Sequence, residues 1–247
     1  MAAKKRLLGS SNESSRKVLR MLMSFTPEAP RQTVDDLARA IGSPKSSAYR
    51  YLAVLRDVGL AEDDGKGGYQ LTVAVARLTG AANAVNGVRE IAHPFMERLG
   101  AQSRETVLLY KRIRDRVICV ELIESTDAIR LSSSVGRALP IDTGAAGRVL
   151  LAYLPKSSAV LRRKARSAER SFETIRKNGY AVSLAEVTPD VWAVAAPIFE
   201  GEQASHSLVI AGPAFRLDGA RRKKLALLVK AASRKLSAAL SGRVASS

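Results

Sequence analysis

Cysteine is nearly absent. Cys119 is the single one in 247 residues, which excludes an intrachain disulfide framework and a cysteine-rich zinc site and fits a reducing compartment. His93 and His206 are the only histidines, too few for a metal site or an acid–base triad. Aromatic residues make up 5%, with a lone Trp192. No apolar run approaches the roughly 18 residues of a membrane-spanning helix, so no membrane partner is expected. The basic opening Met1-Ala2-Ala3-Lys4-Lys5-Arg6 is followed only by Leu7-Leu8, so no secretory leader is expected. Acidic side chains are also short: 23 against 40 basic ones give a net charge of +17. The expectation is a cytoplasmic protein whose charge favours polyanions.

What is present is a hydrophobic content of 46%, ample for packed cores. Residues 1–87 hold 13 basic and 8 acidic side chains, and residues 88–247 hold 27 and 15. The charge is therefore not confined to one tail. Its densest stretch contains Lys156, Arg162, Arg163, Lys164, Arg166, Arg170, Arg176 and Lys177. A second cluster is Arg221-Arg222-Lys223-Lys224. Two readings stand: solvated helix faces, or auxiliary contacts with DNA phosphate, which are salt-dependent and blind to sequence.

Along the chain, residues 1–13 read as a disordered basic tail. A helix is expected from Ser14 or Ser15 to about Phe25, stopped by Pro27 and Pro30. Thr33 then has the form of an N-cap with Asp36 three residues on. Val34, Leu37, Ala38 and Ile41 keep helical spacing, and Gly42 closes that helix. Ser43 suits the next N-cap and Pro44 the first helical position. This helix runs to about Val58, with Gly59 after it. Two helices joined by a short glycine-containing turn form a helix-turn-helix. Leu60-Ala61-Glu62 and Gly68-Tyr69-Gln70-Leu71 flank a glycine-bearing loop and read as a β-hairpin wing. Residues 14–71 are thus expected to be a winged helix-turn-helix, and residues 72–87 a linker helix.

Residues 88–247 mix strands and helices without strict alternation. His93–Leu99 is expected to be helical, with His93 before Pro94 at the helix start. Strands are expected at 106–111, 117–124, 129–133, 191–199 and 207–211, and His206 in a loop. Helices are expected at Thr143–Leu154 and Gly219–Ser241. The pattern predicts an α+β fold with an antiparallel sheet.

On the second helix of the pair, 100° per residue places Ala48, Tyr51, Leu52 and Leu55 inward and Ser46, Arg50, Ala53 and Asp57 outward. Early residues of such a helix reach base edges in the major groove. The DNA-binding candidates are Thr33, Lys45, Ser46, Ser47, Tyr49, Arg50 and, in the wing, Lys66. Arg50 can pair bidentately with guanine, and Lys45 lies where phosphate meets a helix N-terminus. Asp63 and Asp64 would repel phosphate, which ranks the wing below the helix. The alternative is an ordinary exposed helix face.

Catalysis finds little support. Both histidines read as structural or surface residues. Cys119 lies in an apolar strand as an inert thiol. The stretch Gly144–Gly147 lacks the Lys-Ser or Lys-Thr of a phosphate loop. No catalytic residue, metal or cofactor is expected, and Trp192 either packs or lines a pocket.

These segments resemble the IclR family of bacterial transcription regulators. The stretch from Val34-Asp35-Asp36-Leu37-Ala38 to Ser46-Ser47-Ala48-Tyr49-Arg50-Tyr51-Leu52 is similar to the family's helix-turn-helix, and Gly68-Tyr69-Gln70-Leu71 to the end of its wing. Leu139-Pro140-Ile141-Asp142-Thr143-Gly144-Ala145-Ala146-Gly147-Arg148 is similar to its LP-x-HATA-x-GK segment. Gly179-Tyr180-Ala181, Val194-Ala195-Ala196-Pro197-Ile198-Phe199 and Ala211-Gly212-Pro213 follow in the family's order.

The resemblance implies a winged helix, a linker helix and a C-terminal GAF-like domain (residues 88–247) for effector binding and oligomerisation. The partners it implies are double-stranded operator DNA, a small-molecule effector and further copies of the chain in a dimer or tetramer. It places the effector pocket at Leu139, Ala145, Ala146, Ser183, Val191, Ala193, Val209 and Ala211. The family's His is Asp142 here and its Lys is Arg148. Its polar pocket positions correspond to Ser183, Ala193, Val209 and Ala211. Each such change removes polarity, at roughly 1 kcal/mol or more per hydrogen bond lost to a small carboxylate. The expected effector is therefore more apolar, aromatic ligands included; the alternative is that these residues pack the core and nothing binds. Beside a ligand-modulated, sequence-specific regulator stand two other readings: a non-specific architectural DNA binder with a degenerate ligand domain, and an enzyme built on the second domain.

Overall fold

The computed structural model describes residues 2–85, 87–155, 158 and 169–244. The chain divides into two units, Met1–Asn86 and Gly87–Ser247. The first contains α1 (Ala2–Leu22), β1 (Arg31–Gln32), α2 (Val34–Ile41), α3 (Lys45–Asp57), β2 (Ala61–Asp63), β3 (Tyr69–Leu71) and α4 (Val75–Val85). α2 forms because its start and stop are written locally. Thr33 Oγ1 accepts from the Asp36 N–H at 3.3 Å and the Asp36 carboxylate accepts the Thr33 N–H at 3.1 Å. Such a cap stabilises a helix by about 1 kcal/mol. Gly42, at φ 59°, ends it in the left-handed region. Val34, Leu37, Ala38 and Ile41 are buried on its inner face, as are Ala48, Tyr51, Leu52 and Leu55 on that of α3, around Met21 and Phe25 of the α1 end.

Three features of this unit differ from the sequence reading. α1 begins at Ala2, so residues 2–13 are helical and not an irregular tail. Ala2, Ala3, Lys4, Lys5, Arg6, Leu7 and Leu8 are strong helix formers, and the isolated Gly9 costs only about 1 kcal/mol against them. The N-cap of α3 is Pro44 rather than Ser43. The Pro44 carbonyl accepts the Ser47 and Ala48 N–H groups at 3.0 and 3.1 Å, which leaves Ser43 one residue outside, its buried hydroxyl without a partner. The hairpin β2–β3 gains a third strand, β1, in the order β1-β3-β2.

The second unit holds α5 (Val88–Ser103), β4 (Thr106–Ile113), β5 (Arg116–Ile123), β6 (Ala138–Pro140), α6 (Gly144–Leu151), α7 (Glu169–Asn178), β7 (Ala181–Leu184), β8 (Val191–Glu200), β9 (Gln203–Pro213) and α8 (Gly219–Val244). The strands form one antiparallel sheet in the order β6-β5-β4-β9-β8-β7. The fold is α+β. Side chains alternate across the sheet. Val107 and Leu109 of β4 with Trp192, Val194 and Ile198 of β8 join α5 and α8 on one face. Leu108 and Tyr110 with Ala195, Val209 and Ala211 join α6 and α7 on the other.

Here too the sequence reading is corrected. Residues 129–133 are irregular: the Ile129 carbonyl accepts from Arg216 and the Leu131 carbonyl from Thr106, at 2.6 and 3.1 Å, instead of from a strand. His206 belongs to β9, opposite Lys111 and Ile198, and is buried. His93 lies inside α5 rather than at its start. β7 carries no alternation strong enough to mark it in advance. Lys156, Arg162, Arg163, Lys164 and Arg166 of the basic stretch lie outside the described residues.

Candidate DNA-reading helix and ligand pocket

The outer face of α3 is polar and open. Ser46 and Arg50 are exposed, Tyr49 is 54% exposed and Ser47 is half-buried. The Arg50 guanidinium lies 5.4 Å from the centre of the Tyr51 ring, a cation–π contact. Lys45 is exposed but paired with Asp35 at 2.7 Å, and the Asp35 carboxylate holds its pKa above the usual lysine value. Thr33 is spent on the cap: its hydroxyl donates to Asp36 at 2.6 Å. Ser46, Tyr49 and Arg50 therefore stand on the open face, Arg50 with its guanidinium against Tyr51, while Thr33 and Lys45 are engaged by carboxylates.

The wing is built around Asp64. Its carboxylate accepts the Lys66 and Gly68 N–H groups, both at 2.8 Å, and the Arg31 guanidinium. Arg31 also donates to the Lys66 carbonyl at 2.8 Å. Its proximity to Arg31 holds the Asp64 pKa down at about 2. The negative charge expected to repel phosphate is thus matched by a cation, and the exposed Lys66 stands on a braced loop.

In the second unit a cavity of about 50 Å³ opens between the sheet and α6, several times the roughly 10–15 Å³ one water needs. Leu139, Ala145, Ala146, Ser183, Val191, Ala193, Val209 and Ala211 all line it, so the structure brings together the eight positions implied by resemblance. Trp192 does not: it packs on the opposite face of the sheet.

The sequence reading missed other lining residues. Leu108 and Tyr110 face the cavity from β4, Leu108 standing opposite Val209; that strand is buried on both faces from Thr106 to Tyr110, so its sequence does not tell which face meets the cavity. Leu131, Ser133 and Arg137 reach it from the irregular segment before β6, and Glu186, Val187 and Thr188 from the turn after β7. These segments have no periodicity to read.

The expected loss of polarity is therefore partial. The Glu186 carboxylate is engaged by Arg148 at 2.8 Å and by the Gly144 N–H at 3.2 Å. Arg137 is half-buried, and among the described residues no carboxylate lies within ion-pair distance of it. Burial pushes the Tyr110 phenol up to about 12, against the opposing pull of the Arg137 charge. Burial likewise pushes the Cys119 thiol up to about 12, which makes it a poor nucleophile. Among the described residues no group of three or more His, Cys, Asp or Glu side chains could hold a metal ion, and no helix is long and apolar enough to cross a membrane.

Comparison with known proteins joins the two halves. The IclR helix-turn-helix domain matches residues 14–65, and the bacterial transcriptional regulator IclR C-terminal domain matches residues 81–238. The chain belongs to the IclR family. The HTH-type transcriptional regulator KipR of Bacillus subtilis is 30% identical over 231 residues, covering 87% of this chain and 92% of that protein. KdgR of Escherichia coli is 26% identical over 227 residues, covering 83% and 84%. Among solved IclR structures, that from Alicyclobacillus acidocaldarius superposes with a TM-score of 0.76 at 27% identity, covering 92% of this chain and 98% of that one. An IclR homologue from Microbacterium hydrocarbonoxydans, complexed with 4-hydroxybenzoate, shares the fold with a TM-score of 0.74 at 20% identity, covering 92% and 98%. As an IclR protein, the chain is a DNA-binding transcriptional regulator with a C-terminal ligand-binding domain.

Proposed function

We propose that this regulator is sequence-specific and that a small, apolar-bodied monocarboxylate, aromatic acids included, sets its operator affinity. The observation that carries the reading is the pocket. Its walls are mostly Leu, Val and Ala, and Arg137 presents a guanidinium with no carboxylate to match it among the described residues. A half-buried cation against apolar walls is costly until it is paired. A ligand carboxylate supplies the partner, and a ring or short aliphatic body fills the rest. The 4-hydroxybenzoate of the Microbacterium hydrocarbonoxydans homologue is an acid of this kind.

On the DNA side, Ser46, Ser47, Tyr49 and Arg50 read base edges, and Lys45 and Lys66 meet phosphates. The working form is a homodimer or homotetramer in the cytoplasm, with paired half-sites centred roughly 34 Å or a multiple apart. Ligand binding shifts the population between arrangements of different half-site spacing, a coupling of about 1–3 kcal/mol. The protein has no catalytic role in this scheme.

Binding to the DNA upstream of its own gene and to a scrambled duplex, at several salt concentrations and with or without 4-hydroxybenzoate, tests the proposal. A specificity ratio of about 10³ or more, altered by the acid, supports it. Equal affinity for both duplexes at every salt concentration replaces it with the architectural reading that the +17 charge would favour.

A further inference from the structure

A second cavity, of about 270 Å³, lies in the same unit between the end of α7, α8 and the Ala196–Phe199 end of β8, and among the described residues its lining shares none with the first cavity. It is the larger of the two cavities by volume. Four cations line it: Arg176 and Lys177 from the last turn of α7, and Lys230 and Arg234 from α8. No acidic side chain lines it among the described residues.

Two of these cations are fixed by backbone. Arg176 donates to the Ala152 carbonyl at 2.9 Å, and Lys230 donates to the Asn178 carbonyl at the end of α7. A helix C-terminus favours nearby positive charge, which accounts for Arg176, Lys177 and Lys230. It does not account for Arg234. Arg234 stands four residues after Lys230 on α8, where like charges repel, and among the described residues no acid in the lining offsets the pair. A concave wall of one sign focuses the field and concentrates counter-ions. The remaining wall is apolar: the Tyr153 and Phe199 rings meet edge to face, 5.2 Å between centres. Ser233 and Ser237 are spent on backbone partners.

We infer that this cavity is a second ligand site, for a phosphate-bearing small metabolite, with Lys177, Lys230 and Arg234 around the phosphate and its organic part against Tyr153 and Phe199. This assignment does not depend on the carboxylate reading of the effector pocket. Charge-assisted contacts from three cations suit a dianion better than a monocarboxylate.

The test is calorimetric titration of the full chain with inorganic phosphate and pyrophosphate, with chloride at matched ionic strength as the control. The variants are Lys177→Gln, Arg234→Gln and the double variant; both side chains are exposed, and circular dichroism with thermal melting checks their fold. Saturable binding, tighter for pyrophosphate, is expected. It should fall about tenfold or more in the double variant, the equivalent of one charge-assisted bond, and stay unchanged in Arg137→Gln. Absence of saturable binding overturns the site. So does binding that survives the double variant, which would locate the phosphate elsewhere. A double variant that keeps pyrophosphate but loses affinity for random duplex DNA would make the cluster a DNA-backbone contact and also overturn it.

Discussion

Arg31 and Asp64 stand 33 residues apart in sequence and pair across the small sheet of the first unit. The pair ties the strand before α2 to the wing tip. The Gly68 backbone packs against the same guanidinium, so closely that a Cβ there would lie 2.5 Å from Arg31 Cζ. Arg31→Ala should therefore loosen the loop from Asp64 to Gly68. Faster amide exchange at Lys66 and Gly68, with α2 and α3 protection unchanged, is the expected result. The Asp64 pKa lies below its usual 3.8, at about 2. Its contribution to wing order is thus complete above pH 3.8 and is lost as pH falls through 2.

Arg50 and Lys45 should separate in their effects on DNA. Arg50→Ala is expected to cost about 1–3 kcal/mol on the operator and to relax specificity at one base pair. Lys45→Gln should weaken all sequences alike and reduce the salt slope by about 1. Asp35→Asn should do the reverse, because Asp35 neutralises Lys45 in the free protein. Salt-dependent binding to operator and scrambled duplexes measures all three. Equal loss of Arg50→Ala on both duplexes would make Arg50 a phosphate contact.

The two-helix unit was legible because each of its signals is local. The Thr33–Asp36 box, Gly42 and the inward arcs of α2 and α3 need only a few residues of context. Ser43 was misplaced by one position because serine and proline compete for adjacent cap roles. The sheet was legible as antiparallel, but its register was not. That Leu108 faces Val209 depends on pairing across a hundred residues of chain. Arg137 was invisible for a different reason: it ends an irregular segment, held at Ile129 and Leu131 by side-chain bonds from Arg216 and Thr106, and its own place is set by backbone bonds to Cys119 and Ser134. Ile129 and Leu131 mimic a strand's alternation, yet their carbonyls are committed to those side chains.

Two glycines of the family's landmark segments should not tolerate alanine. A Cβ at Gly147 would lie 2.1 Å from the Ile141 carbonyl oxygen, and one at Gly212 would lie 2.1 Å from the Glu105 carboxylate. Glu105 is buried between Arg216 and Arg221, at 3.2 and 3.1 Å, so it cannot retreat without breaking that network. Gly147→Ala and Gly212→Ala should each cost about 1–3 kcal/mol through overpacking. That is a drop of several degrees in Tm for a unit this size. Gly219→Ala, with open space around its Cβ, is the control and should melt near the wild type.

Acid stability should depend on Glu200. Its carboxylate accepts from the buried His206 at 2.8 Å and from Ser205 at 2.8 Å. The His206 hydrogen bond above all holds its pKa down, to about 2 against the usual 4.5. A depressed acid stabilises the fold above its unfolded pKa and stops doing so as pH falls through the folded value. The wild type should lose this contribution between pH 4.5 and 2. Glu200→Gln should start lower at neutral pH and show a shallower acid slope in that window. Parallel curves for the two proteins would remove Glu200 from the account.

The carboxylate reading of the pocket rests on Arg137. If its guanidinium pairs with a ligand carboxylate, an aromatic acid should raise the Tm of the wild type, and its neutral amide should raise it far less. Arg137→Gln keeps a hydrogen-bond donor but removes the charge. It should lose about 1.5–3 kcal/mol of affinity for the acid, roughly 10- to 100-fold, and little for the amide, because the Leu, Val and Ala walls hold the apolar body in either case. A substitution that only disturbed packing would weaken acid and amide together. If small hydrophilic acids alone shift the melting temperature, the ligand lies against polar groups other than these walls, and the apolar-bodied carboxylate is the wrong class.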